Sequence, residues 1–121
     1  MKNNPELILL TYKGKALLMY QYENSIDEEN HEWTFVNAVK KNNESTKNAL
    51  SRSIMNETGI KIDKIEYLGK NYYHARLTDN EVNNIKRDEL QLLNFFTLSE
   101  VQELRLHPST RNFVNQFGNL I

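Results

Sequence analysis

Residues 45–60 have the sequence STKNALSRSIMNETGI, and their hydrophobic period differs from that of the chain on either side. The apolar residues Ala49, Leu50, Ile54 and Met55 recur at helical spacing. The opening serine is a residue type that caps helix N-termini, and the glycine near the end suits the position just past a helix C-terminus. The segment therefore predicts a central helix.

Short apolar runs separated by turn residues flank this helix. The first two runs, 6–12 and 16–22, are joined around Gly14, which predicts a β-hairpin. Further strands are predicted at 33–39, twice within 60–77 with a break near Gly69, and at 90–98. Strands on both sides of a central helix, with helical segments at the end, indicate a layered domain of the α/β or α+β class.

Capping signals mark the helices near the C-terminus. Ser99 is a candidate N-cap, with Gln102 at capping-box spacing, and Pro108 suits the first turn of a closing helix that includes Phe113 and Phe117. The charged segment 78–89 is predicted to be a loop with a helical turn.

The composition narrows the class of protein. With 121 residues, 39% hydrophobic and 26% charged, we expect one folded domain over residues 1–121. A formal net charge of −1 gives no overall basic field for a nucleic-acid polymer or an anionic membrane. The chain has no cysteine, its N-terminal apolar run is too short for a secretory signal, and no run reaches membrane-spanning length. We therefore expect a cytoplasmic protein.

One face of the predicted helix has a spacing suited to metal chemistry. Ser53, Asn56 and Glu57 stand at positions i, i+3 and i+4, so their side chains project from the same side. Carboxylates at this spacing would give the hard oxygen donors that Mg²⁺ or Mn²⁺ uses when it binds a diphosphate. Two of the three groups here are neutral, so the face has oxygen atoms but little charge.

The segment from Ala38 to Ile60 resembles the Nudix box, G-x5-E-x7-R-E-U-x-E-E-x-G-U, where U is a bulky aliphatic residue. The departures are Ala38 for the first glycine, Ser53 for the glutamate after the arginine, and Asn56 for the first of the paired glutamates. The flanking stretches WTFVNA and NFFTLSEV also resemble the family pattern in the right order. The matching positions are Glu44, Arg52, Ile54, Glu57, Gly59 and Ile60.

The resemblance implies an α/β/α sandwich with a mixed β-sheet and a site on the box helix. Family members hydrolyse nucleoside diphosphates linked to another moiety, using divalent cations held by box glutamates. It implies a metal-binding and catalytic role for Glu57, with Glu44 and Arg52 bracing the loop. A second acid would come from residues 88–89, with Glu89 as the candidate metal ligand. The remaining candidates for ligand contact are Ser53, Asn56, Trp33 and Phe35.

Three functions remain open at this point. The first is a Nudix-fold domain with an eroded metal site, weak or no catalysis and a nucleotide-like small-molecule ligand. The second is a Mg²⁺- or Mn²⁺-dependent pyrophosphohydrolase that acts through Glu57 and an acid of residues 88–89. The third is a protein-interaction module, with a homodimer as one form.

Overall fold

The computed structural model describes residues 5–21, 32–86 and 92–121. Within these ranges the chain forms a mixed sheet of seven strands with four helices, which confirms the predicted fold class. The strands are β1 (Glu6–Tyr12), β2 (Lys15–Gln21), β3 (Glu32–Thr34), β4 (Val36–Ala38), β5 (Glu66–Gly69), β6 (Tyr72–Arg76) and β7 (Leu92–Phe96). The helices are α1 (Thr46–Thr58), α2 (Asp79–Asn83), α3 (Leu98–Glu103) and α4 (Pro108–Phe117), and a 3₁₀ turn, Gly118–Leu120, follows α4.

The hairpin predicted around Gly14 is present, and its two strands diverge with distance from the turn. Lys13 and Gly14 both have positive φ, 48° and 79°, which fits the right-handed twist of a two-residue hairpin. The antiparallel pairing of β1 with β2 covers only the residues next to the turn. Farther from the turn, β2 pairs with β3 and β1 pairs with β4. The chain from β3 to β4 therefore bridges two diverging strands.

Because β1 and β2 diverge, the prediction of one continuous strand over 33–39 is wrong. The segment changes partner at Phe35, from β2 on one side to β1 on the other. The aromatic ring of Phe35 is fully buried, and the Phe35 N–H donates to the hydroxyl of Thr110 at 3.2 Å. A side-chain acceptor thus replaces the sheet hydrogen bond that the switch interrupts.

Two hydrophobic clusters lie on opposite faces of the sheet. Because side chains alternate along a strand, β1 contributes Ile8 and Leu10 to one cluster and Leu7 and Leu9 to the other. Helix α1 packs on the first face, whereas α3 and α4 pack on the second. The fold is therefore layered as helix, sheet and helix, with α1 alone on its face among these three helices.

Two other expectations about the C-terminal half need adjustment. The predicted strand 90–98 ends at Phe96, because Thr97 caps α3. Residues 90–91 lie outside the described ranges. The N-cap is therefore Thr97 rather than Ser99, and its capping-box partner is Glu100 rather than Gln102. A carboxylate three residues after a threonine completes the reciprocal box and so fixes the register.

Two strands occur within 60–77, as predicted, but the first of them begins only at Glu66. They are separated by a turn at Lys70 and Asn71, and a short helix forms in the charged segment as α2. Pro108 occupies the first turn of α4. None of the helices in the described part of the chain has the length and apolar character that a membrane span requires.

Candidate functional site

Helix α1 carries the candidate site, and both of its ends are fixed by local contacts. The Ser45 hydroxyl accepts a hydrogen bond from the Asn48 N–H at 3.1 Å. At the other end, Gly59 has φ +78° and its N–H donates to the Met55 carbonyl at 2.9 Å. A left-handed glycine satisfies one of the last free carbonyls of a helix. The first and last residues of α1 therefore agree with the capping signals in the sequence.

The loop before α1 is held by an ion pair between Glu44 and Arg52. Arg52 donates from Nε and Nη2 to the two carboxylate oxygens at 3.0 and 2.9 Å, and Nη2 also donates to the Val39 carbonyl at 3.1 Å. The Lys41 N–H donates to the same carboxylate at 2.9 Å. The hydrogen bonds from Arg52 and then from the Lys41 N–H lower the pKa of Glu44 to about 2.

The Nudix resemblance implies that Glu44 and Arg52 brace the loop, and the two side chains are paired here. This pairing joins the residues between Val39 and Glu44 to the second turn of the helix. Because both carboxylate oxygens accept hydrogen bonds, Glu44 is positioned to hold the loop rather than to bind a ligand.

The predicted site face of α1 carries Ser53, Asn56 and Glu57, and these three residues differ in exposure. Ser53 is only 9% exposed, Asn56 is exposed, and Glu57 is half-buried. The face therefore carries one carboxylate, one amide and one nearly buried hydroxyl. The proposed second acid, Glu89, and its neighbour Asp88 lie outside the described residues.

Comparison with solved structures identifies the architecture. A MutT protein from a study of Aliivibrio salmonicida and Vibrio cholerae superposes with a TM-score of 0.69 at 14% identity, covering 93% of this chain and 94% of the other. A MutT protein from Methanosarcina mazei Go1 gives 0.67 at 18%, covering 93% and 90%. A Nudix-family hydrolase from Clostridium perfringens gives 0.65 at 14%, covering 95% and 94%. The chain adopts the Nudix fold. No protein-family model and no curated protein sequence matches it.

At the three α1 positions where the Nudix pattern has glutamates, this chain has Ser53, Asn56 and Glu57. Among residues 5–21, 32–86 and 92–121, no group of three or more His, Asp or Glu side chains is arranged to hold a metal ion. Mg²⁺ can be held by one or two protein carboxylates when substrate phosphates complete the shell. Within those residues, the site face supplies only Glu57 for this purpose.

The aromatic residues predicted to contact a ligand lie on the other face of the Nudix sheet. Phe35 is fully buried and packs edge-on against Phe113 of α4, with ring centroids 5.1 Å apart. Such a ring has no surface to offer a ligand, so its position contradicts the prediction for Phe35. Trp33 is half-buried between Tyr20 and Phe96, at centroid distances of 5.1 and 4.9 Å.

The backbone of Trp33 has a structural role. Its N–H donates to the Arg105 carbonyl, and its carbonyl accepts from the His107 N–H, both at 2.9 Å. These bonds join β3 to the segment that leads into α4. Aromatic type alone gave no means of separating such core positions from cleft positions in the sequence.

The structure also reveals a cleft that the sequence did not predict. Its volume is about 730 Å³, and it lies at the β5–β6 edge of the sheet, beside the first turn of α1. The lining residues come from position 47, positions 63–66 and positions 74–76. No motif joins residues so far apart in sequence, and only the parallel pairing of β6 with β1 and the position of α1 bring them together.

Proposed function

We propose that this chain is a Nudix-fold domain with an eroded metal site, which binds a nucleotide-like ligand and hydrolyses diphosphate linkages weakly or not at all. The observation that carries the proposal is the site face of α1, where Glu57 is accompanied by a neutral hydroxyl and a neutral amide. A diphosphate site must hold cations against the repulsion of its own anionic donors and of the substrate. With two of the anionic groups absent, the attraction for Mg²⁺ or Mn²⁺ is weak before substrate arrives.

Proton transfer is impaired by the same replacements. A serine hydroxyl is far too weak a base to accept a proton from water near neutral pH, and an amide side chain does not titrate. General base catalysis contributes roughly 10²–10⁴-fold to hydrolytic rates. Loss of a base together with loss of metal charge therefore supports the expectation of a slow reaction at best.

The burial of Ser53 adds a steric reason. At 9% exposure Ser53 is one of the buried residues of α1, and the buried Ala49 and Leu50 lie one turn before it in the helix. A glutamate at this position would need space for two more carbons and water for its charge. A carboxylate at this position would therefore lose much of its hydration unless the surrounding packing changed.

WTFVNA resembles the stretch W-x-L-P-G-G that precedes the Nudix box, with Val36 at the proline and Asn37 and Ala38 at the two glycines. Val36 and Ala38 are buried, at 0% and 3% exposure, and β4 pairs with β1 along its whole length. Glycines in such a segment allow the backbone to approach a ligand closely. Here the side chains of Val36 and Ala38 fill the core beneath α1 instead.

The direct test is a hydrolysis panel of nucleoside diphosphate derivatives and dinucleotides, with Mg²⁺ and with Mn²⁺. We expect turnover at or near background, with no difference between the wild type and Glu57→Gln. Thermal shift with the same compounds then detects a ligand, since binding to the native state raises the apparent stability. Brisk turnover that Glu57→Gln abolishes would contradict the eroded site, and no shift with any compound would contradict the nucleotide-like ligand.

A gain-of-function test should begin with Asn56→Glu, because Asn56 is exposed and accepts a carboxylate without repacking. Ser53→Glu is best measured separately, with its folding checked by circular dichroism. We expect Asn56→Glu to strengthen Mn²⁺ binding, because it restores a second carboxylate one residue from Glu57. Unchanged Mn²⁺ affinity in this variant would argue that charge on the helix face is not what limits metal binding.

The alternative is a slow pyrophosphohydrolase that uses Glu57 with an acid from residues 88–89. The observation that favours it is the intact brace, in which Arg52 binds both oxygens of Glu44 and the Val39 carbonyl. A braced loop is a feature that a catalytic box needs to orient its helix. Metal-dependent turnover that is lost in both Glu57→Gln and Glu89→Gln would establish this alternative.

A further inference from the structure

The cleft at the β5–β6 edge gathers positive charge from three separate parts of the fold. Lys47 comes from the first turn of α1, Lys64 from the segment before β5, and Arg76 from the end of β6. All three are exposed. Within the described residues, none of them has a carboxylate oxygen within 4 Å of its charged nitrogens. Three unpaired cations around one concavity repel one another, and an anionic ligand would offset that repulsion.

Two carboxylates also line the cleft, and they limit what it can accept. Glu66 turns towards the ring of His74, with Oε1 3.5 Å from Nδ1. Asp63 is the second acid. With His74 neutral, the three cations and two carboxylates among the described lining residues leave one net positive charge. A compact anion suits this balance, whereas an extended polyanion would meet the acids as well as the cations.

One wall of the cleft is formed by His74, whose ring is hydrogen-bonded to the neighbouring strand. The ring is 4% exposed, and its Nε2 lies 2.8 Å from the Thr11 hydroxyl on the neighbouring strand. Burial is the main cause that lowers the pKa of His74, so the ring is neutral at physiological pH. The imidazole therefore serves as part of the wall and leaves the positive charge to the lysines and the arginine.

A smaller cavity of about 300 Å³ shares part of this wall. Asp63, Lys64 and Arg76 line both cavities, and Ile62, Thr78 and Glu81 line the smaller one alone. These two cations can thus reach a ligand from either side of the wall. An arginine fork with nearby lysine charges is the donor set that proteins use for phosphate oxygens.

We propose that this cleft binds a small phosphate-bearing anion through Lys47, Lys64 and Arg76. The site is separate from the box carboxylate. Lys47 and Glu57 are ten positions apart on α1, which corresponds to about 15 Å along the helix axis. Binding here requires neither a divalent cation nor Glu57, and it stands whether or not the domain is an enzyme.

The test is a calorimetric titration with inorganic pyrophosphate, in EDTA and at constant ionic strength set with NaCl. We expect saturable binding to the wild type and to Glu57→Gln. We expect affinity about tenfold weaker in Arg76→Gln and in Lys64→Gln, the loss that follows from one missing charge-assisted hydrogen bond. The matched control is Lys61→Gln, because Lys61 is exposed, close to Lys64 in sequence and absent from the lining of both cavities. Its affinity should equal that of the wild type.

Amide chemical shifts locate the ligand independently of affinity. We expect pyrophosphate to shift amides of 63–66 and 74–76 and to leave those around Glu57 unchanged. The proposal is overturned if no saturable binding occurs, or if Lys61→Gln weakens binding as much as Arg76→Gln. It is equally overturned if Glu57→Gln abolishes metal-free binding, because the anion would then belong to the box helix.

Discussion

Gly59 and Gly14 have nearly the same positive φ but different surroundings, which allows the closing glycine of the box to be tested with a matched control. Their φ angles are +78° and +79°. A Cβ at Gly14 meets nothing within 4 Å, whereas a Cβ at Gly59 lies 3.0 Å from the Cβ and 3.4 Å from the backbone nitrogen of Lys86. The Lys86 N–H also donates to the Thr58 carbonyl at 2.7 Å, so this part of the chain is held against the end of α1.

The two alanine variants therefore share one cost and differ in another. Left-handed backbone costs alanine about 1–2 kcal/mol at either position, and the restricted unfolded chain returns about 0.4–1 kcal/mol at both. The net loss at Gly14 is about 1 kcal/mol on these figures. The contact with Lys86 adds an overpacking cost of about 1–3 kcal/mol at Gly59 alone. We expect Gly59→Ala to be the less stable variant by that difference.

Urea unfolding followed by circular dichroism measures the comparison. The midpoint should fall more in Gly59→Ala than in Gly14→Ala, with the m-value unchanged in both. Equal losses in the two variants would refute the argument, because they would show that the backbone conformation alone sets the cost. A larger loss in Gly14→Ala would refute it as well.

Three further predictions concern buried or bonded polar groups. The pKa of Glu44 is about 2 against an ordinary value of 4.5, so the stability that its pairing with Arg52 provides is present above pH 4.5 and is lost as the pH falls towards 2. The stability difference between wild type and Glu44→Gln should therefore shrink over this range, and a constant difference would contradict the prediction. Burial lowers the pKa of His74 below 6.5, so the unfolded state takes up the proton first and the wild type should lose stability as the pH falls below 6.5. His74→Gln should remove this part of the pH dependence of stability, and an unchanged pH profile in that variant would refute the prediction. Thr110→Val should cost about 1–3 kcal/mol because it leaves the buried Phe35 N–H without an acceptor, whereas Thr110→Ser should retain most of the stability in the same unfolding assay.

The parts of the fold that the sequence predicted correctly are those that local chemistry determines. Helix α1 has its cap, its apolar spacing and its terminal glycine within one segment, and the structure reproduces the cap, the glycine and the burial of Ala49, Leu50 and Ile54. Met55, the fourth apolar residue of the pattern, is exposed. The hairpin at Gly14 is equally local, because two residues with positive φ suffice to turn the chain.

The errors arise where distant residues decide the outcome. Residues 33–39 have the composition of one strand, and only the divergence of β1 from β2 divides them at Phe35. The aromatic character of Phe35 suits a ligand cleft and a core equally well. Its burial depends on Phe113 and Thr110, which approach only when α4 packs on the sheet.

The candidate site divides in the same way. The spacing of Ser53, Asn56 and Glu57 follows from helical periodicity, so their common face was predictable. The burial of Ser53 depends on the sheet beneath α1 and was not. The cleft at the β5–β6 edge could not be predicted from the sequence either. Its cations are spread over thirty positions, from Lys47 to Arg76, and no local pattern joins them.

The charge deficit on α1 is tested most directly by calorimetric titration of the purified protein with Mn²⁺, in the absence of any phosphate compound. We expect no saturable binding tighter than about 1 mM, because a single carboxylate holds a hard divalent cation only weakly in water. Stoichiometric binding in the micromolar range that disappears in Glu57→Gln would show that the helix still forms a competent metal site.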